Sequence, residues 1–140
     1  LVNKAVYTNN KTVKFTRVFD NMFSSHISSE KSSYGIKKEI IVKTVKTSEL
    51  IKKFDLIKID IEGSESKVIR SIVRKDFFST DILVEIGTKK NAKEIFGFLK
   101  KNKIKSYSQK NNFKLVSNLK MMPISHNEGS LFISQNINWF

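Results

Sequence analysis

The sequence contains no cysteine, a single proline and five glycines among its 140 residues. The absence of cysteine excludes disulfide bonds and thiolate metal sites. The sequence also lacks an apolar run of about 18 residues, so no segment predicts a membrane-spanning helix. None of the glycines lies in a G-x-G-x-x-G or P-loop turn, and the H-E-x-x-H and C-x-x-C motifs are missing. These absences exclude the common glycine-rich nucleotide sites and the motif-based zinc and redox sites.

Arginine is also scarce, although the formal net charge of the chain is +13. Arg17, Arg70 and Arg74 are its arginines, and the lysines are spread along the whole chain rather than gathered in one patch. Arginine is the better reader of bases and phosphates. The composition therefore favours a solvated lysine-rich surface over a nucleic-acid partner. A basic α/β module that binds anionic partners remains an alternative function.

The first third of the chain predicts short strands and one loop. Residues 2–8 and 12–19 have strand-like patterns, and Asn9-Asn10-Lys11 between them predicts a tight hairpin turn because asparagine tolerates positive φ. The serine-rich stretch 20–35 predicts a loop in which His26 is exposed.

Two buried strands, each followed by a helix, dominate the middle of the chain. Leu56 to Ile61 and Asp81 to Gly87 are nearly continuously apolar, which is typical of strands covered on both faces. A helix from about Glu65 to Arg74 follows the first strand, and a helix capped by Asn91 follows the second. The order β-α-β-α predicts an α/β fold with parallel strands in one sheet. Outside this unit we predict strands at 38–46, 104–109, 113–117 and 130–134 and a frayed tail at 136–140.

Acidic residues gather where these two strands end, each group just before a glycine. Parallel neighbours would bring Asp60 and Glu85 to the same edge of the sheet, and open α/β sheets bind ligands at that edge. A carboxylate in a buried strand needs a partner, because burying an unpaired charge is costly. We therefore expect Asp60, Glu62 and Glu85 to form a site, with helix capping or lysine pairing as the alternative. For Glu65 alone, helix capping is the favoured interpretation.

Several segments carry a family resemblance: Asn3-Lys-Ala-Val6, Thr12-Val-Lys-Phe15, Val45-Lys-Thr-Ser-Glu-Leu50, Asp55-Leu-Ile-Lys-Ile-Asp-Ile-Glu-Gly-Ser-Glu65 and Ile82-Leu-Val-Glu-Ile86. They resemble the FkbM-type S-adenosylmethionine-dependent methyltransferases over nearly the whole chain. The resemblance implies a Rossmann-like methyltransferase sheet, mostly parallel with an antiparallel terminal strand. The family's opening D-x-G-A-N-x-G turn and its E-P acid have no counterpart here. We therefore expect residues 1–140 to be a single partial domain whose N-terminal cofactor-binding βαβ portion is missing.

The resemblance also implies which residues act. It places Asp60, Glu62 and Glu65 beside the methyl donor or the acceptor, and we interpret Asp60 as an electrostatic partner or base. No resident metal is expected, and a Mg²⁺ site formed by Asp60, Glu85 and His126 is the alternative. His126 is a candidate second base, and a structural role is the alternative, because a single histidine before a strand is more often structural. The predicted catalytic residues are Asp60, Glu85 and His126, and the predicted cofactor-binding residues are Asp60, Glu62, Gly63 and Glu65.

The function that these roles predict is methyl transfer from S-adenosylmethionine to a hydroxyl group. The expected acceptor is a small molecule or a glycan, and the expected location is the cytoplasm. Two alternatives remain, namely the basic binding module for anionic partners and an inactive fragment.

Overall fold

The computed structural model describes residues 3–21, 24–30 and 34–136, in which two mixed sheets carry three α-helices. Most of the predicted tail at 136–140 lies outside these residues. Among the described residues, no helix combines the length and the apolar character that crossing a bilayer requires. The strands are β1 (Ala5–Tyr7), β2 (Thr12–Val18), β3 (His26–Ile27), β4 (Lys37–Lys46), β5 (Leu56–Ile59), β6 (Asp81–Glu85), β7 (Ser106–Ser108), β8 (Lys114–Leu115) and β9 (Ser130–Ile133), and the helices are α1 (Thr47–Leu50), α2 (Glu65–Ser71) and α3 (Lys89–Lys101).

The first sheet has the order β1–β4–β2–β3, and β1 is parallel to β4. The predicted hairpin of β1 and β2 is therefore wrong, because β4 lies between them. The hydroxyl of Thr44 in β4 donates to the carbonyl oxygen of Asn9 and accepts the N–H of Lys11. The side-chain oxygen of Asn10 accepts the N–H of Lys46. These bonds fasten the turn onto β4, which satisfies its backbone groups without a hairpin ladder.

The serine-rich stretch contains the short strand β3. His26 begins this strand, is only 2% exposed, and its Nδ1 lies 2.6 Å from the carbonyl oxygen of Ser24. The prediction of an exposed loop histidine is therefore wrong. The ring is buried because β3 pairs with β2, which places His26 opposite Thr16. A contact of 2.7 Å between the hydroxyls of Thr16 and Ser28 also joins the two strands. Such long-range pairing leaves no trace in the local composition.

The second sheet has the order β5–β6–β9–β7–β8. The predicted parallel pairing of β5 and β6 is confirmed, in register from Leu56 opposite Asp81 to Ile59 opposite Val84. The antiparallel terminal strand is also confirmed, since β9 runs antiparallel to β6 and β7. In the part of the chain that the structure describes, only β1–β4 and β5–β6 are parallel pairs. The expectation of one mostly parallel sheet is therefore wrong, and the two mixed sheets fit the broader α/β class.

Helices α2 and α3 cover the second sheet but begin or end differently from the prediction. Thr88 caps α3 by accepting the N–H of Asn91, so the prediction of Asn91 as the cap is wrong. Helix α2 ends at Ser71 because Ile72 is already extended, with ψ of 132°.

Complete burial of one large aliphatic side chain contributes about 1.5–3 kcal/mol. The buried apolar residues of the two helices are Val68, Ile69, Ala92, Ile95 and Leu99.

Candidate functional site

The chain between β5 and α2 forms an acidic turn with two consecutive residues in the left-handed region. Glu62 has φ of 48° and Gly63 has φ of 104°. A φ near 100° is open to glycine and strained for a residue with a side chain, so the backbone itself requires Gly63. The turn begins with Asp60 directly after β5 and ends at Ser64, the N-cap residue of α2. Its carboxylates therefore lie at the carboxyl end of β5.

Glu65 closes this turn from the inside. It is 3% exposed, and its Oε1 accepts the N–H of Gly63 at 2.8 Å. Its Oε2 accepts a hydrogen bond from Nδ2 of Asn91, which also donates to the carbonyl oxygen of Gly63 at 3.4 Å. Burial raises the pKa of Glu65, although the backbone N–H donors oppose the increase. This Glu65–Asn91 clamp ties α3 to the acidic turn.

His126 and Glu85 form a hydrogen-bonded pair at the carboxyl end of β6. Nδ1 of His126 lies 2.6 Å from Oε1 of Glu85, with the two side chains 48% and 27% exposed. An ionised carboxylate only accepts hydrogen bonds, so opposite an ionised Glu85 it is Nδ1 that donates, and in this tautomer of a neutral imidazole the lone pair is on Nε2. A carboxylate that orients an imidazole in this way is the arrangement of a general base. Strand β9 brings the pair together, because its Ser130 lies opposite Glu85.

Gly87 provides the space that the His126 ring occupies. A Cβ atom at Gly87 would lie 2.5 Å from Nε2 and 2.6 Å from Cε1 of the ring. Gly87 does not have a positive φ. Contact with His126, rather than a special backbone conformation, therefore explains glycine at this position.

We expect Gly87→Ala to displace the His126 ring while changing the free energy of unfolding by only about 1 kcal/mol, because a half-exposed side chain can turn away. The measurement is the NMR shift of the His126 ring protons beside urea unfolding. Gly97→Ala is the matched control, since an added Cβ there meets no described atom within 4 Å. Unchanged His126 signals in Gly87→Ala would contradict the proposed contact.

A pocket of about 400 Å³ lies beside the acidic turn and the start of α3. Such a volume lies within the range of small-molecule sites. Glu30, which follows β3 in the first sheet, forms part of its wall and accepts hydrogen bonds from Nζ of Lys67 at 2.7 Å and from the hydroxyl of Tyr7 at 2.8 Å. Burial alone would raise the pKa of Glu30, but these hydrogen bonds hold it below the ordinary value. The lining residues are Ser29, Glu30, Glu62, Gly63, Glu65, Ser66, Lys67, Gly87, Thr88, Lys90, Asn91, Glu94 and His126.

The predicted site residues divide between this pocket and a smaller one. Asp60 does not line the larger pocket; it lines a separate pocket of about 170 Å³, and its carboxylate lies 3.3 Å from Nζ of Lys58. Glu85 does not line the larger pocket, but it is hydrogen-bonded to His126, which does. Asp60 and Glu85 nevertheless leave neighbouring parallel strands at the same level. The larger pocket includes the predicted residues Glu62, Gly63, Glu65 and His126.

The smaller pocket contains a buried hydroxyl group. Ser64 is 1% exposed, and its Oγ has no hydrogen-bond partner among the described residues. Asp60 supplies the carboxylate of this pocket. A buried hydroxyl without a partner costs free energy unless a ligand or a water satisfies it. The remaining lining residues are Ala5, Val6, Phe15, Ser25, Ile27 and Ile61.

The described residues contain no group of three or more His, Asp or Glu side chains arranged to hold a metal ion. The alternative of a Mg²⁺ site at Asp60, Glu85 and His126 therefore has no support in their arrangement.

Sequence reasoning missed Asn91 and Glu30 as site residues. Asparagine is a favourable N-cap residue, which suggested that Asn91 begins the helix. Threonine is also a favourable N-cap residue, and Thr88 lies three residues earlier. That neighbouring threonine was the available signal that Asn91 belongs inside the helix. Glu30 lies in a serine-rich stretch, and no local pattern indicates that it returns to Lys67 on α2.

Comparison with known proteins gives one match. The family model of the methyltransferase FkbM domain matches residues 3–115, which is most of the chain. The matched range includes the acidic turn and Glu85 but ends before His126. Searches of curated proteins and of solved structures each returned no match.

Proposed function

Because the chain belongs to the FkbM methyltransferase family, we propose that it uses S-adenosylmethionine to methylate a hydroxyl group of a small molecule or a sugar. The observation that carries this proposal is the His126–Glu85 pair, whose His126 lines the pocket of about 400 Å³ beside the acidic turn. An oriented imidazole suits an acceptor that must lose a proton while it is methylated.

The acceptor binds in the larger pocket in this proposal. Its hydroxyl oxygen lies within reach of Nε2 of His126, which accepts the proton. Glu85 keeps the opposite proton on Nδ1 and stabilises the imidazolium that forms. The clamp of Glu65 and Asn91 holds the wall of the pocket in place, and Glu62 contributes a carboxylate to its lining. The family-matched range ends at residue 115, before His126.

In this proposal Asp60 and Ser64 would hold the positively charged end of the methyl donor, at the acidic turn that borders both pockets. S-adenosylmethionine supplies an electrophilic methyl group on a positively charged sulfur. The carboxylate of Asp60 matches that charge, and the free hydroxyl of Ser64 supplies a polar contact. The volume of about 170 Å³ is below the roughly 300–1,000 Å³ of sites that hold drug-sized ligands. The described residues therefore fit the sulfonium end of the cofactor and not the whole molecule.

We expect Asp60→Asn to weaken the binding of S-adenosylmethionine up to about fivefold, the effect of losing one partly exposed charge pair. Isothermal titration of the chain, and of its longest native form, gives the dissociation constants. Asp55→Asn is the matched control, because Asp55 is an exposed carboxylate at the start of the same strand.

Two results would contradict the proposal at separate points. Equal weakening by Asp55→Asn would remove Asp60 from the donor site. Undetectable binding of the cofactor to the longest native form, together with no transfer of a labelled methyl group to a panel of sugars and small alcohols, would remove the methyltransferase function itself.

A further inference from the structure

The β2–β4 ribbon ends in a group of exposed apolar side chains. Phe19 is 49% exposed, Ile36 is 68% exposed and Tyr34 is 95% exposed. The N–H of Phe19 donates to the carbonyl oxygen of Ile36, so these two residues are opposite each other and continue the ladder that ends with Val18 and Lys37. Single exposed apolar side chains are common on protein surfaces. A group of them at one exposed end is unusual.

A pair of cationic side chains lies directly behind this apolar end. Arg17 and Lys38 are opposite each other, two residues before Phe19 and two residues after Ile36. Alternation along a strand puts all four side chains on the same face of the ribbon. Two residues of a strand span about 7 Å. On this face the backbone positions of the two cationic residues therefore lie about 7 Å behind those of Phe19 and Ile36.

Several close contacts hold the end of the ribbon together. Oδ2 of Asp20 accepts the N–H of Ile36 at 2.7 Å, and Gly35 has φ of 89°. A Cβ at Gly35 would lie 2.7 Å from Oδ2 of Asp20, so the turn is closely packed. The guanidinium of Arg17 lies over the ring of Phe19, 5.4 Å from its centroid. Asp20 is the carboxylate of this turn, and it is engaged by the backbone.

We propose that this ribbon end binds the surface of an anionic lipid bilayer. Phe19, Tyr34 and Ile36 insert at the boundary of headgroups and acyl chains, where interfacial segments lie about 5–10 Å deep. The positive charges of Arg17 and Lys38 then lie close behind the inserted side chains, within reach of the lipid phosphates. The site is distinct from both pockets, and it does not depend on the proposed methyl transfer.

Two features of the ribbon favour a bilayer over other partners. Phe19 and Tyr34 carry rings, but Ile36 is aliphatic, so the group is not the continuous aromatic platform through which single-stranded nucleic acid is bound. A second copy of the chain would present the same pair of cations, and like charges repel across an interface. An anionic bilayer satisfies both the apolar end and the cations behind it.

Flotation with vesicles tests this proposal on the intact chain. We expect binding to vesicles of phosphatidylcholine with about 30% phosphatidylglycerol and much weaker binding to phosphatidylcholine alone. The double variant Phe19→Ser, Ile36→Ser should reduce the partition coefficient at least about tenfold. The double variant Arg17→Gln, Lys38→Gln should reduce it about thirtyfold on the anionic vesicles and little on the neutral ones.

Matched controls separate this site from general attraction by a basic protein. Phe78→Ser with Leu115→Ser removes two equally exposed apolar side chains elsewhere, and Lys93→Gln with Lys114→Gln removes two other exposed lysines. Both control variants should bind within about threefold of the native chain.

Circular dichroism checks that each variant is folded, and Tyr34→Ser provides a second apolar variant outside the ladder. The proposal is overturned if the native chain fails to float with anionic vesicles, if the control variants lose as much binding as the ribbon variants, or if the ribbon variants lose binding to single-stranded RNA or self-association instead.

Discussion

Replacing His126 with glutamine is expected to lower the rate of methyl transfer by about 10²–10⁴-fold, the usual contribution of a positioned general base. Glutamine keeps hydrogen-bonding groups near Glu85 but has no basic nitrogen to take the proton from the acceptor. The ring is half exposed, so the substitution should leave the free energy of unfolding nearly unchanged. Steady-state rates with saturating S-adenosylmethionine, measured in the longest native form, give the result.

A second substitution separates chemistry from structure at this pair. Glu85→Ala removes the group that orients the imidazole, and the double variant should be little worse than His126→Gln alone because the two residues act as one unit. Asn127→Ala, at the exposed neighbour of His126, is the matched control. Additive losses in the double variant, or a large loss in Asn127→Ala, would rule out the proposed base.

Replacing Asn91 with leucine is expected to lower the free energy of unfolding by about 2–4 kcal/mol. Leucine has nearly the same shape but cannot donate to Glu65 or to the carbonyl oxygen of Gly63, and the carboxylate of Glu65 stays buried with fewer donors. Urea unfolding provides the measurement. Lys93→Leu, at an exposed position of the same helix, should change it by no more than about 0.5 kcal/mol.

The pH dependence of stability provides a second test of the clamp. Burial raises the pKa of Glu65 above its ordinary value of 4.5, so the folded chain holds this proton more tightly than the unfolded chain does. The resulting stability is fully present below the ordinary pKa and is lost as the pH rises through the raised value. Relative to Glu65→Gln, which cannot ionise, the native chain should therefore lose stability across that interval. A constant difference between the two proteins at all pH values would contradict a raised pKa.

The sequence predicted the second sheet better than the first. The apolar runs that became β5 and β6 were long and were each followed by a helix, so their parallel pairing followed from connectivity. The prediction of a β1–β2 hairpin was wrong because the residue pattern of a strand does not specify which strand it pairs with. β4 took the place between them through hydrogen bonds of Thr44 to a turn some 33 residues away in the chain.

The sequence identified most residues of the candidate site but not how they are divided between the two pockets. The acidic turn and Glu85 were identified because carboxylates at the ends of buried strands are unusual. Their distribution between two pockets was not predicted, since it depends on how the side chains of Asp60 and His126 are directed by neighbouring strands. Glu30 was missed for the same reason, because its partners Lys67 and Tyr7 come from two other elements.

The sequence by itself determined the order of the central strands and helices, because that order follows from the periodicity of the apolar residues, and it placed acids at the ends of the two buried strands. Only the tertiary structure decided that Asn91 serves Glu65 rather than the helix end, that His126 meets Glu85 against Gly87, and that Phe19 and Ile36 stay exposed in front of two cations. Those outcomes depend on contacts between residues far apart in the chain, whose free energies arise only when the sheets and helices have assembled.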